Sequence, residues 1–137
     1  MTTLIEIEDR VSTLLLDMTH LNFTMVVIDE GIRQALMEYS KASGQAETLA
    51  GLDGAVSTTL PEQDSGMIVL GAAGFIASAK GVDRKESFNL DGQIAPQVAQ
   101  LGERFLARFQ ALILTVRCDR MRSPEVQAWG AGWPLIL

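Results

Sequence analysis

The chain has 137 residues but only one histidine, one cysteine and 6% aromatic residues. Because Cys118 is the single cysteine, the sequence excludes an internal disulfide. His20 would have to carry any histidine chemistry alone, and no Cys, His, Asp and Glu residues cluster with the spacing of metal ligands. No apolar run approaches the roughly 20 residues that a membrane span requires. We therefore expect a cytosol-assembled domain that is not an enzyme and uses no metal, no cofactor and no membrane.

Charge is distributed unevenly along the chain. The net charge is −6, with fourteen acids and six bases in residues 1–100 (net −8) and three acids and five bases in residues 101–137 (net +2). This negative net charge argues against a protein whose whole surface binds nucleic acid. The asymmetry predicts two surfaces that meet different partners, and an ordinary solvated surface is the alternative interpretation.

Four segments carry apolar residues at steps of three and four, which is typical of amphipathic helices. These segments are residues 4–18, 24–41, 61 to 81 or 85, and 93–117. Thr3 and Glu6 have the spacing of a capping box, and Thr24 is a suitable N-cap for the second helix. The sequence therefore predicts where the first two helices begin.

Small residues inside the predicted helices indicate places where another helix approaches closely. Gly31 costs the second helix roughly 1 kcal/mol relative to alanine, so we expect a packing contact at that position. Gly71, Gly74 and Ser78 place a small-residue surface on the third helix. We interpret this surface as the close approach of two helices in a soluble bundle.

The remaining segments predict two further features. Asp53-Gly54 is a tight-turn pair flanked by strand-forming residues, so we expect a β-hairpin or an extended loop near residues 43–60. Proline and glycine in residues 121–137 prevent a regular helix there. The predicted fold class is mainly α, with a small bundle of about four helices in residues 1–120 and an extended C-terminal tail in residues 121–137.

The tail and the loop supply the candidate interface residues. Tryptophan is enriched at interface hot spots, so the two tail tryptophans are candidate anchors for a neighbouring molecule. The predicted tail interface contains Arg117, Arg120, Arg122, Val126, Trp129, Trp133, Leu135, Ile136 and Leu137. The predicted loop interface contains Leu49, Leu52, Asp53, Val56, Thr58 and Leu60. An alternative for the tail is that it folds back over its own bundle. An alternative for the arginines is that they are ordinary favourable charge at a helix C-terminus.

Several sequence blocks occur in an order that resembles one family. The first block begins with Phe23-Thr24 and continues as Asp29-Glu30-Gly31-Ile32-Arg33-Gln34-Ala35-Leu36-Met37-Glu38-Tyr39-Ser40. It is followed by Leu52–Ala55, Leu60-Pro61, Leu70–Phe75, Val82–Arg84 and Leu101–Phe109. Together these blocks resemble the head–tail adaptor (connector, head-completion) proteins of tailed bacteriophages. The resemblance covers about residues 4–117 and does not include the tail.

The resemblance implies a structural virion protein of the head–tail neck, assembled in the host cytoplasm. Such a protein forms a ring of about twelve copies below the portal protein, extends the DNA channel, and docks the next neck or tail-completion protein. Genomic DNA would pass through the bore without sequence-specific binding, because an acidic bore repels the DNA backbone. The alternative is another small helical phage tail-completion or interaction module that is not bound to a portal.

Overall fold

The computed structural model describes residues 1–15, 23–86 and 94–122, and describes side chains within 1–15, 23–79 and 100–122. The described residues form four α-helices and one short 3-10 helix. Their bounds are α1 Leu4–Leu14, α2 Met25–Ser43, the 3-10 helix Glu62–Asp64, α3 Ser65–Glu86 and α4 Ile94–Met121. The prediction of a mainly helical bundle is confirmed. The predicted tail begins at the last residue of α4, and residues 123–137 lie outside the described residues.

The first two helices begin at the predicted capping residues. At α1 the Glu6 backbone N–H donates to Thr3 Oγ1 at 3.5 Å, and the Thr3 backbone N–H donates to the Glu6 carboxylate at 3.4 Å. At α2 the Val27 backbone N–H donates to Thr24 Oγ1 at 3.4 Å. These local bonds satisfy backbone donors that the first turn of a helix leaves unpaired.

Glycines allow α3 to pack closely between α2 and α4. A Cβ added at Gly31 would lie 2.7 Å from the Ile76 side chain, and one added at Gly71 would lie 2.7 Å from the Phe109 ring. A Cβ added at Gly74 would lie 2.9 Å from atoms of Leu106 on α4. The order of these contacts shows that α3 runs antiparallel to both neighbours. The predicted close helix contacts are therefore confirmed.

The core lies where α1, α2, α3 and α4 meet the loop before α3. Phe109 is its largest fully buried side chain, and its ring meets Phe75 edge to face, with centroids 6.1 Å apart and planes at 72°. Other buried members include Ile7, Val11, Ile28, Ile32, Leu49, Ile68 and Ile113. Edge-to-face geometry is favourable for aromatic pairs, so Phe109 joins α3 and α4 at the centre of the bundle.

The loop between α2 and α3 contains the predicted tight turn. Asp53 and Gly54 both have positive φ angles, 52° and 80°, and the Ala55 backbone N–H donates to the Leu52 carbonyl at 3.0 Å. Positive φ at both central residues is the pattern of a type I′ turn, which Asp-Gly favours. The turn prediction is confirmed.

The β-hairpin is not formed, and the alternative of an extended loop describes residues 45–61. The Thr59 backbone N–H donates to the Thr48 carbonyl at 3.0 Å. In the other direction the Thr48 backbone N–H donates to a side-chain oxygen, Thr59 Oγ1, at 2.7 Å. The loop instead contacts the start of α1, through an isolated parallel bridge between Ala50 and Thr3. A lone two-stranded hairpin is marginal in water, and here the loop gains more by burying its leucines in the core.

Candidate interface surfaces

Three of the six predicted loop-interface residues belong to the core. Leu49, Leu52 and Leu60 are 0%, 6% and 3% exposed and pack in the central cluster. Because buried side chains cannot contact a neighbouring molecule, the interface prediction does not hold for these three residues. Their apolar character reflects the anchoring of the loop to the bundle, which spacing along the sequence does not reveal.

Asp53 is an exposed loop residue that already has a partner within the chain. Arg33 on α2 binds its carboxylate through two nitrogens, with Nε–Oδ2 and Nη2–Oδ1 distances of 2.9 Å. The same guanidinium contacts Glu30 at 2.7 Å. The hydrogen bond from Arg33 holds the pKa of Asp53 below its usual value. This network attaches the type I′ turn to α2 and fixes its position.

Val56 and Thr58 have different surroundings in the loop. Val56 is 94% exposed, which makes it the most exposed apolar side chain of the described residues. Thr58 is half-buried, and its hydroxyl donates to the Thr2 carbonyl while accepting from the Ala50 backbone N–H at 2.9 Å. Of the six predicted loop residues, Val56 is therefore the one whose side chain is both apolar and free to contact another molecule.

The predicted tail interface is divided between α4 and residues beyond it. Arg117, Arg120 and Arg122 are exposed at the C-terminal end of the described chain. The Arg120 guanidinium lies against Gly44, the C-cap residue of α2, where an added Cβ would be 2.6 Å from Cζ. The other predicted residues, Val126, Trp129, Trp133, Leu135, Ile136 and Leu137, lie outside the described residues.

The outer face of α4 is a surface that the sequence interpretation missed. We define it by Arg104, Arg108, Leu114, Met121 and Arg122, which are all exposed and lie on the side of α4 opposite Phe109. Leu114 and Met121 are 59% and 64% exposed. The signal that was available is the composition of the helix, which contains four arginines and no lysine.

Two carboxyl groups meet inside the α1–α2 contact. Glu8 is 8% exposed, and its carboxyl hydrogen-bonds Asp29. Burial raises the pKa of Glu8 to about 7, with further contributions from the hydrogen bond to Asp29 and from its charge. Asp29 Oδ1 is itself buried and accepts no hydrogen bond from the described residues. Near neutral pH the charge of this contact therefore depends on whether Glu8 holds its proton.

A groove of about 660 Å³ separates α1 from the N-terminal half of α4, with residues from α1, α3 and α4 along its walls.

Within residues 1–15, 23–86 and 94–122, no group of three or more His, Cys, Asp or Glu side chains is placed to hold a metal ion. No helix in that part of the chain is long and apolar enough to span a bilayer.

Comparisons with protein-family models, curated proteins and solved structures found no match to this chain.

Proposed function

We propose that this protein is a structural virion protein: a head–tail adaptor that forms a ring below a phage portal, extends the DNA channel and docks the next neck protein. The observation that carries the proposal is the ordered set of resembling blocks, because several of them coincide with structural junctions. Phe23-Thr24 is the start of α2, Leu52–Ala55 is the type I′ turn, and Leu60-Pro61 leads into the 3-10 helix. Blocks that define junctions are expected when a resemblance reflects a shared architecture.

The exposed surfaces support an assembly role. Val56 on the loop and Met121 at the end of α4 are large apolar side chains in contact with water. The adaptor requires at least two contacts, one with neighbouring copies and one with the portal or the next neck protein. The loop and the C-terminal tail are segments that we expect to contribute to such contacts, with Trp129 and Trp133 as the tail anchors.

The proposal is tested by removing residues 123–137, which keeps the whole of α4. The truncated protein should retain the helical circular-dichroism spectrum and the unfolding midpoint of the full chain, because the described core is left intact. It should fail to attach to portal-bearing capsids in negative-stain images. A matched control replaces only Trp129 and Trp133 with serine, and should show the same loss of attachment.

The outcomes separate the proposal from its alternatives. A truncated chain that unfolds would mean that the tail covers its own bundle. A full-length chain that never attaches to portals, and that remains a monomer or dimer, would favour the small helical interaction module instead.

A further inference from the structure

The outer face of α4 has no charged partner within the chain. Arg104, Arg108 and Arg122 form no ion pair with any described residue, whereas Arg33 and Lys41 on α2 each contact a carboxylate. Arg104 and Arg108 are four residues apart on one helix face, and like charges at this spacing destabilise a helix by a few tenths of a kcal/mol. An unpaired basic face is therefore a local cost that the fold itself does not explain.

The helix dipole does not account for this face. It favours cations in the last turn, which explains Arg120 and Arg122. Arg108 lies more than three turns before the end of α4 at Met121, where the dipole effect has fallen away. The arginines in the middle of the helix need another explanation.

The composition of the face is that of a protein contact. Arginine and methionine are enriched in protein interfaces and lysine is depleted, and α4 has four arginines, one methionine and no lysine. Leu114 and Met121 are large apolar side chains that a nucleic-acid backbone would leave exposed to water. These features favour a protein partner with an acidic and partly apolar surface.

The outer face of α1 has this chemistry. We define it by Ile5, Glu6 and Asp9, which are exposed neighbours on one side of the helix, with Ile5 68% exposed. Neither acid forms an ion pair with a described residue. Arg10, the one base in α1, donates to Ser65 Oγ at 2.9 Å and so extends toward α3. The acids on α2 differ, because Glu30 and Glu38 are already paired with bases of their own helix.

The two faces do not neutralise each other within one molecule. α1 packs on α2 and α3, and within the described residues no Cα atom of α1 lies within 8 Å of one in α4. No ion pair joins the two helices in that part of the chain. Opposite charges and exposed apolar side chains on separate helices are complementary only between copies.

We propose that the outer face of α4 binds the outer face of α1 on a second copy of this chain. Arg104 and Arg108 pair with Glu6 and Asp9, and the leucine at position 114 packs against Ile5. Because the two surfaces differ, the contact is head-to-tail, and repetition of it forms a ring if the rotation closes. The inference rests on the proposed adaptor role, and it names the surfaces through which neighbouring copies bind each other.

The test compares self-association of the full chain with that of charge-reversal variants. The α4 variant carries Arg104→Glu and Arg108→Glu, and the α1 variant carries Ile5→Lys and Asp9→Lys. Sedimentation velocity and native mass spectrometry from micromolar to millimolar concentrations should show at least about a tenfold larger dissociation constant for each variant, because attraction becomes repulsion. Lys41→Glu, an exposed reversal on α2, is the control and should associate like the unmodified chain.

Mixing the variants gives the decisive readout. The α4 variant keeps an intact acidic face, and the α1 variant keeps an intact basic face. Each variant should be monomeric alone, and mixing the two should restore association, because the two unmodified faces match and the two altered faces also carry opposite charges. Circular dichroism of each variant checks folding, and Leu114→Ser tests the same contact without a charge change.

Several results would overturn the inference. These are a full chain that stays monomeric, variants that associate normally, or a mixed pair that does not form. Binding of a duplex DNA fragment that is lost in the α4 variant while self-association persists would assign the arginines to nucleic acid instead. Portal attachment is read separately: assembly of normal necks by both variants refutes only this contact, and self-association without any portal attachment refutes only the adaptor role.

Discussion

Replacing Glu8 with glutamine should remove a pH dependence from the stability of the bundle. The folded-state pKa of Glu8 is raised from 4.5 to about 7 by burial and by Asp29. A raised pKa means that the native state holds the proton more tightly, so this contribution is fully present below pH 4.5 and is lost as the pH rises through 7. A difference of this size corresponds to roughly 3 kcal/mol in the free energy of unfolding.

Glutamine keeps the geometry but does not titrate. Its amide N–H donates to Asp29 as the protonated Glu8 carboxyl does, and it carries no charge at any pH. Compared with the unmodified chain, Glu8→Gln should be of similar stability near pH 4.5 and more stable by roughly 3 kcal/mol near pH 8. Urea unfolding followed by circular dichroism at several pH values measures this difference directly.

The matched control is Glu103→Gln, the same chemical change at an exposed position on α4. For this variant the free energy of unfolding should depend on pH as it does for the unmodified chain, because neutralising a surface carboxyl in water changes stability little. If the stability gain of Glu8→Gln is the same at both ends of the pH range, the α1–α2 contact does not depend on the proton of Glu8.

Four further substitutions test the packing and the loop. Gly71→Ala should lower the free energy of unfolding by about 1–3 kcal/mol because its Cβ would overlap the Phe109 ring, and Phe109→Leu should recover part of that loss in the double variant, as measured by urea unfolding. Leu49→Ala should cost about 2–5 kcal/mol, in contrast to the small effect expected of a surface residue. Val56→Asp should change stability by less than about 0.5 kcal/mol, yet reduce neck assembly in electron micrographs if the loop is an interface.

Features set by local chemistry could be predicted from the sequence. The caps at Thr3 and Thr24 and the Asp53-Gly54 turn each depend on residues a few positions apart, and the structure confirms all three. Apolar periodicity likewise predicted four helices because one face of each is buried. The glycine contacts followed from the cost of glycine in a helix, which only a close neighbour repays.

Features set by tertiary packing could not be predicted in this way. The burial of Leu49, Leu52 and Leu60 depends on how the loop lies across the bundle, and an isolated stretch of leucines and threonines is equally compatible with a hairpin. The outer face of α4 was missed for a related reason. Which arginines remain unpaired depends on the positions of all other charges in the folded chain, and spacing along one helix does not show those positions.

The attachment of the loop to Thr2, Thr3 and Leu4 has a practical consequence for protein engineering. The Thr58 hydroxyl donates to the Thr2 carbonyl and the Leu4 backbone N–H donates to the Ala50 carbonyl, so part of the loop's shape depends on residues 2–4. Transplanting residues 45–61 onto another scaffold would therefore not preserve their conformation.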